Sequence, residues 1–135
     1  MSQEADPLMA LVVDTKQISR EQLAQILKGR VLLDLQSDSF VLQPRAKARS
    51  NARQAVLLSL LAVKALSLLK PNIPDILSPR ELENVTGLRG GTIRPAVRRL
   101  TAEGLIIRRA EGYTIHSSAL ARVAIALHDT ESDKQ

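Results

Sequence analysis

The segment from residue 51 to residue 70 is the most hydrophobic part of the chain, and it limits the possible fold more than any other feature. From Val56 onward only Ser59, Lys64 and Ser67 interrupt its leucines, valines and alanines before Leu69. A helix that is apolar on nearly all sides has to be buried on nearly all sides. A membrane span needs about 20 uninterrupted apolar residues. We therefore predict no membrane association, and we interpret the segment as a core helix with part of its surface at a homodimer interface.

The stretch that follows, residues 78–116, begins with the signals of a short helix. Ser78 and Glu81 have the spacing of a capping box, and Pro79 suits the first helical position. Gly87 is placed to end this helix, because glycine enters the left-handed region at little cost. A glycine-containing turn follows this helix.

A second helix is predicted over about residues 92–103. Thr92 is its expected N-cap, and Pro95 then falls in the first turn, where its missing N–H breaks no hydrogen bond. Apolar residues recur with helical spacing at Ile93, Val97 and Leu100. The opposite side of this helix carries three arginines, Arg94, Arg98 and Arg99.

Residues 105–116 are predicted to form a β-hairpin. Residues 105–109 are branched and extended in character, and a three-residue loop of Ala110, Glu111 and Gly112 would place the glycine at a positive φ. Arg108 and Arg109 precede this loop. Because side chains alternate along a strand, only one of the two is expected to point fully outward.

This order of elements resembles the winged helix-turn-helix superfamily of DNA-binding domains. The resemblance is to the superfamily and assigns no specific family within it. The residues that carry it are Ser78-Pro79-x-Glu81-Leu82, Thr86-Gly87, Gly91-Thr92-Ile93-Arg94, Val97-Arg98-Arg99-Leu100, Glu103-Gly104-Leu105-Ile106 and Gly112-Tyr113. The fold class it implies is α+β, mostly α, with an N-terminal helix and β-hairpin as an extension of the winged domain.

The resemblance implies sequence-specific binding of double-stranded DNA, as expected for a dimeric transcriptional regulator. The helix at about 92–103 would enter the major groove, and residues 105–116 would form the wing. Arg94 and Arg98 would reach bases or phosphates, whereas Arg89 and Arg99 would hold the DNA backbone. The full set of expected DNA contacts is Arg89, Thr92, Arg94, Arg98, Arg99, Arg108 and Arg109.

Other functions of such a fold stay open. A winged-helix adaptor would bind a protein partner, with its arginines solvated or paired with Glu103 and Glu111. A DNA-binding role in replication, recombination or the maintenance of a mobile element is not separated from transcription by the sequence. RNA binding is less favoured, because single-stranded RNA sites rely on stacking aromatics and the chain has only Phe40 and Tyr113.

The domain organisation is predicted as an N-terminal extension over residues 1–44, a winged-helix domain over 45–128 and a polar tail over 129–135. In the extension, Ser19 and Gln22 have capping-box spacing for a helix over about 19–28. Residues 31–35 and 40–43 then read as a β-hairpin. Ser117 or Ser118 is the expected cap of a last helix.

The charge pattern favours a polyanionic partner. The net charge is +5, and residues 45–70 contain six basic residues and no acidic one. Arg45, Lys47, Arg49 and Arg53 are possible contacts to the DNA backbone, although such a run is often a solvated linker.

An enzyme is not indicated. There is no cysteine, which fits a reducing, cytoplasmic compartment and excludes thiolate metal sites and disulfides. His116 and His128 are the only histidines, and no motif of a hydrolase, phosphate-binding loop or metalloprotease occurs. We predict no cofactor, no metal site and no small-molecule ligand.

Overall fold

The structure is a computed structural model that describes residues 7–8, 15–43, 51–116, 119–120, 122–125 and 127. It is an α+β fold, mostly helical, as predicted. The elements in chain order are α1 (Thr15–Leu27), β1 (Val31–Asp34), β2 (Ser39–Leu42), α2 (Ala52–Leu69), α3 (Pro79–Thr86), α4 (Gly90–Ala102), β3 (Ile107–Arg109) and β4 (Gly112–Thr114).

Helix α2 lies at the centre of the fold, and every residue from Gln54 to Lys64 is buried. Asn51 caps it: the Asn51 side chain accepts a hydrogen bond from the Gln54 amide at 2.9 Å. The first β-hairpin and the other three helices all pack against α2. The polar side chains in this apolar helix find partners, since the Ser59 hydroxyl donates to the Ala55 carbonyl and the Lys64 ammonium pairs with Asp75 at 3.1 Å.

Two expectations for α2 change with this finding. By length and composition alone the helix could cross a membrane, since it has 18 residues and a mean hydropathy of 1.6. Contrary to the prediction, the length of α2 therefore does not exclude a membrane span. The helix is nevertheless 67% buried inside the protein. The same burial covers most of its surface with the chain's own residues, which removes much of the reason for assigning this helix to a dimer interface.

The N-terminal helix starts earlier than predicted. Helix α1 begins at Thr15, so Ser19 lies inside the helix and the prediction of a cap there is wrong. Residues 15–18 contain no glycine or proline, so nothing in them prevents the helix from starting earlier. The capping-box spacing of Ser19 and Gln22 therefore does not mark a helix start here. Gly29 follows the helix with φ +79°, a conformation that glycine adopts at little cost after a helix C-terminus.

The first hairpin pairs β1 with β2 in antiparallel register, with Val31 opposite Leu42. The Asp34 carboxylate accepts hydrogen bonds from the amides of Gln36 and Ser37 and closes the turn. Inward residues are buried, whereas the cross-strand pair Leu32 and Val41 is about 60% exposed on the outer face.

Helix α3 begins and ends as predicted. The Ser78 hydroxyl accepts from the Glu81 amide, and the Glu81 carboxylate accepts from the Ser78 amide, so both bonds of the capping box are present. Gly87 ends the helix with φ +74°.

Helix α4 begins at Gly90 with Arg89 as its N-cap, so the prediction of Thr92 as N-cap is wrong. The carbonyl of Arg89 accepts from both the Thr92 and the Ile93 amides, which starts the helical hydrogen bonding two residues before the predicted start. Pro95 is consequently the sixth helical residue and not part of the first turn. In a regular helix the Gly91 carbonyl would accept a hydrogen bond from the amide of residue 95, and Pro95 has no N–H to donate it.

The second hairpin has a two-residue loop, Ala110 and Glu111, where three residues were predicted, because Arg109 pairs with Gly112. Gly112 starts β4 with φ +154°, and a Cβ added there would lie 2.3 Å from the Leu77 carbonyl oxygen. Leu77 and Tyr113 exchange two backbone hydrogen bonds of 3.0 and 2.8 Å. This position requires glycine because the backbone of Leu77, two residues before α3, packs directly on the backbone of the hairpin.

A continuous apolar core joins these elements. It extends from Leu23 in α1 and Phe40 in β2 to residues near the C-terminus. The structure has helical residues at 120, 122–125 and 127, of which Leu120, Val123 and Leu127 are buried. The expected caps Ser117 and Ser118 and the tail over 129–135 lie outside the described residues.

Candidate nucleic-acid interface

The buried face of α4 determines which of its side chains reach solvent. Ile93, Val97 and Leu100 are at most 4% exposed, and the helix packs against α2 and α3. These three apolar residues fix the rotation of α4 about its own axis. The opposite face is therefore presented to solvent in one defined orientation.

The centre of the exposed face is formed by Gly91, Pro95, Arg98 and Ala102, which follow one another at helical spacing. Arg94 lies on one flank of this row, and Thr92 and Arg99 lie on the other flank. All seven residues are exposed. Arg98 is thus the central arginine, flanked by small or compact residues. The predicted DNA contacts include Arg94 and Arg98 but not Pro95, although a helical projection of the sequence places Pro95 at the centre of the exposed face.

The N-terminus of α4 is open to an anion on its outer side, because Arg89 makes no side-chain cap hydrogen bond. The carboxylate of Glu83, on α3, lies beside it: a Cβ added at Gly90 would be 3.2 Å from Glu83 Oε2. A negative side chain near a helix N-terminus is stabilising by about 0.3–1 kcal/mol. The same charge opposes the approach of a phosphate.

The second hairpin adds two exposed cations. Arg108 and Arg109 are both exposed, so strand alternation buries neither of them. The residues of the adjoining loop, Ala110 and Glu111, are exposed as well.

The carboxylates nearest in sequence do not neutralise these cations. Among the residues that the structure describes, none of Arg89, Arg94, Arg98, Arg99, Arg108 and Arg109 forms a salt bridge. Glu103 pairs instead with Arg53 of α2, at 2.5 Å. Arg53 is therefore engaged within the fold, in contrast to its expected role at the DNA backbone, and Arg45, Lys47 and Arg49 lie outside the described residues.

No protein-family model, curated protein or solved structure matches this chain.

A single α-helix fits the major groove of B-DNA, which is about 12 Å wide. The exposed face of α4 has arginines on both flanks and a central row with only one long side chain. Such a face can approach base edges closely at Gly91 and Pro95 while its flanks meet the phosphates. Within the described part of the chain, no group of three or more His, Cys, Asp or Glu residues could hold a metal ion.

Proposed function

We propose that this chain is a winged helix-turn-helix protein that binds double-stranded DNA in a sequence-specific manner, as a dimeric transcriptional regulator in the cytoplasm. The observation that carries the proposal is the outer face of α4. It holds three exposed arginines without carboxylate partners among the described residues, directly before a hairpin with two more. The proposal assigns no enzymatic step and no cofactor.

The position of each arginine on α4 defines its role in the proposal. Arg98, at the centre of the face, donates to O6 and N7 of a guanine, the commonest specific contact in the major groove. Pro95 is placed to contact a thymine methyl group. Arg94 and Arg99, on opposite flanks, contact phosphates of the two strands that border the groove.

The remaining cations position the protein along the duplex. Arg89 and the amides at the start of α4 contact phosphate, and the exposed hydroxyl of Thr92 supports the same contact. Arg108 and Arg109 bring the second hairpin, acting as the wing, to the neighbouring backbone. Their contribution to the binding affinity does not depend on the DNA sequence, and it falls as the salt concentration rises.

The test begins with the affinity for random duplex DNA at several salt concentrations, followed by selection of preferred sites from a random pool. A steep salt dependence with an enriched palindromic site supports a sequence-specific dimer. A steep dependence without enrichment restricts the function to non-specific binding. The absence of binding at low salt rejects DNA as the partner.

Substitutions on α4 separate base reading from backbone contact. We expect Arg98→Ala to cost about 1–3 kcal/mol on the selected site and to relax the preference at one base pair. Arg94→Ala and Arg99→Ala should weaken binding to all duplexes alike and lower the salt slope by about 0.9 each. Lys28→Ala, which removes an exposed cation directly after α1, is the matched control and should leave binding unchanged.

The dimer is tested separately. Sedimentation at micromolar concentration, with and without the selected duplex, measures whether two chains bind one site. If the free chain is only a 14.8 kDa species and its complex with the selected duplex contains one chain per duplex, the chain binds as a monomer and the palindromic arrangement is rejected.

A second candidate function, an adaptor that holds a protein partner, is supported by the exposed apolar pair Leu32 and Val41 on the first hairpin. The double variant Arg94→Ala, Arg98→Ala distinguishes the two. If it retains DNA binding while Leu32→Ser abolishes a protein complex, the adaptor is favoured. A role in replication, recombination or mobile-element maintenance uses the same DNA interface and is distinguished by which genomic site the selected sequence occurs in.

A further inference from the structure

A groove of about 310 Å³ lies between α1, β1 and the C-terminal part of α2. It is formed by elements other than α4 and the second hairpin, so it is separate from the proposed DNA interface. The lining residues are Arg20, Leu23, Ala24, Leu27, Lys28, Val31, Leu33, Ala65, Leu68 and Leu69.

The floor of this groove is aliphatic. Eight of the ten lining residues are leucine, valine or alanine. Leu23 and Leu27 are buried below the floor, whereas Leu69 remains 50% exposed at the side. Small-molecule sites have volumes of about 300–1,000 Å³ and combine a mainly apolar lining with a few placed polar groups. The volume and the lining of the groove both agree with such a site.

The two charged residues of the lining are both cations, Arg20 on α1 and Lys28 directly after it, and no carboxylate lines the groove among the described residues. Arg20 extends from α1 to α2, where its Nη2 donates to the Leu68 carbonyl at 3.0 Å. A guanidinium has five N–H donors, and this bond uses one of them. Arg20 is thereby held across the groove with donors left for a second acceptor, and the charge is complementary to an anion.

We propose that this groove binds a medium-chain carboxylate, with the alkyl chain on the leucine floor, the carboxylate at Arg20, and Lys28 adding positive charge along the same groove. Guanidinium and carboxylate form paired, charge-assisted hydrogen bonds, which would fix the head group. The aliphatic floor supplies the remaining affinity by removing methylene groups from water. This binding is independent of the proposed DNA binding and is tested without DNA.

The first experiment is calorimetric titration of the full chain with hexanoate, octanoate and decanoate. We expect saturable binding of one molecule, with the affinity rising about fourfold for each added CH₂ group, because each buried CH₂ contributes about 0.8 kcal/mol. Decanol and decylamine, which lack the anionic head, should bind at least about tenfold more weakly than decanoate. Equal affinity of the three decyl compounds would overturn the role of Arg20 and Lys28.

Variants localise the binding site. Ala65→Leu fills the floor without changing charge and should weaken decanoate by about tenfold or more, while circular dichroism reports that the fold is retained. In the double variant Arg20→Gln, Lys28→Gln, the affinity for decanoate should fall to the affinity for decanol. Arg80→Gln removes an exposed cation from α3 and is the control that should leave the affinity unchanged.

Three results would overturn the proposal. Decanoate binding that is unsaturable, or unaffected by Ala65→Leu, would show that the fatty acid adsorbs elsewhere on the protein. If decanoate does not bind, and Ala65→Leu or Leu69→Ser instead converts a dimer into a monomer in sedimentation, the groove is covered by a second copy of the chain.

Discussion

Replacing Gly112 with alanine should destabilise this protein more than any other glycine-to-alanine change in the second half of the chain. The added Cβ would lie 2.3 Å from the Leu77 oxygen, 2.6 Å from the Leu77 carbonyl carbon and 2.8 Å from the Ser78 nitrogen. All three are backbone atoms, so no side chain can rotate away to make room. Relief requires the hairpin to separate from the residues that precede α3.

The magnitude follows from what that separation breaks. Leu77 and Tyr113 exchange two backbone hydrogen bonds, each with a net value of about 0.5–1.5 kcal/mol. Alanine at φ +154° adds backbone strain of about 1–3 kcal/mol. Together these contributions give an expected loss of about 2–6 kcal/mol in the free energy of unfolding, a large part of the stability of a typical domain.

The assay is urea unfolding followed by circular dichroism, with Gly91→Ala as the matched control. Gly91 has no atom within 4 Å of an added Cβ and no positive φ. Alanine in a helix is favoured over glycine, so this control should gain up to about 0.5–1 kcal/mol. The same chemical change is therefore expected to have opposite signs at two positions 21 residues apart.

An unfolding free energy for Gly112→Ala within about 0.5 kcal/mol of the parent protein would refute this reasoning. It would mean that the hairpin can move away from Leu77 at little cost, and that the contact does not hold the hairpin in place. A second readout is the exchange rate of the Tyr113 amide, which donates to the Leu77 carbonyl at 2.8 Å. This rate should rise in the variant if the contact is lost.

Three other residues give separate predictions. Asn51→Ala removes the acceptor for the Gln54 amide and should lower the unfolding free energy by about 1 kcal/mol in urea. Hydrogen bonds from the Ser37 side chain and from the amides of Gln36 and Ser37 lower the pKa of Asp34 below 3.8. Its contribution to stability should therefore be complete above pH 3.8 and be lost as the pH falls through the lower folded-state value; a carboxyl titration midpoint by NMR at or above 3.8 would contradict this. Glu83→Gln removes the carboxylate beside the start of α4, so it should strengthen DNA binding a few-fold while lowering stability by about 0.3–1 kcal/mol; unchanged or weaker DNA binding would argue against phosphate at this helix end.

Sequence reasoning succeeded where the signal and the structure it specifies lie within a few residues. The capping box at Ser78 and Glu81 and the glycine at position 87 act on the nearest turn of helix, so their pattern determines the local structure. The hydrophobic segment of α2 likewise predicted its own burial. Such features need no knowledge of distant parts of the chain.

Predictions from the sequence were wrong where the identity or the partner of a residue depends on a contact that is remote in sequence. Gly112 was predicted in the loop because glycine tolerates a positive φ, and its φ is positive, but it lies in β4 and the backbone that excludes a Cβ there is that of Leu77, 35 positions earlier. The prediction of Thr92 as N-cap was wrong for a local reason: Arg89 has an extended conformation and its carbonyl accepts the first helical hydrogen bonds, although its side chain forms no cap. Arg53 belongs to a basic run, and only the packing of α2 against α4 shows that Glu103 is its partner.

The contact between Gly112 and Leu77 also determines where this chain can tolerate insertions. Ala110 and Glu111 lie beyond the contact and are exposed, so extra residues there would lengthen the hairpin tip without entering the core. An insertion between Leu77 and Ser78, or a change at Gly112, would instead disturb the backbone pairing on which the hairpin rests. The reach of the hairpin and the stability of the protein body can therefore vary independently, and a longer tip could be engineered into this chain without redesigning its interior.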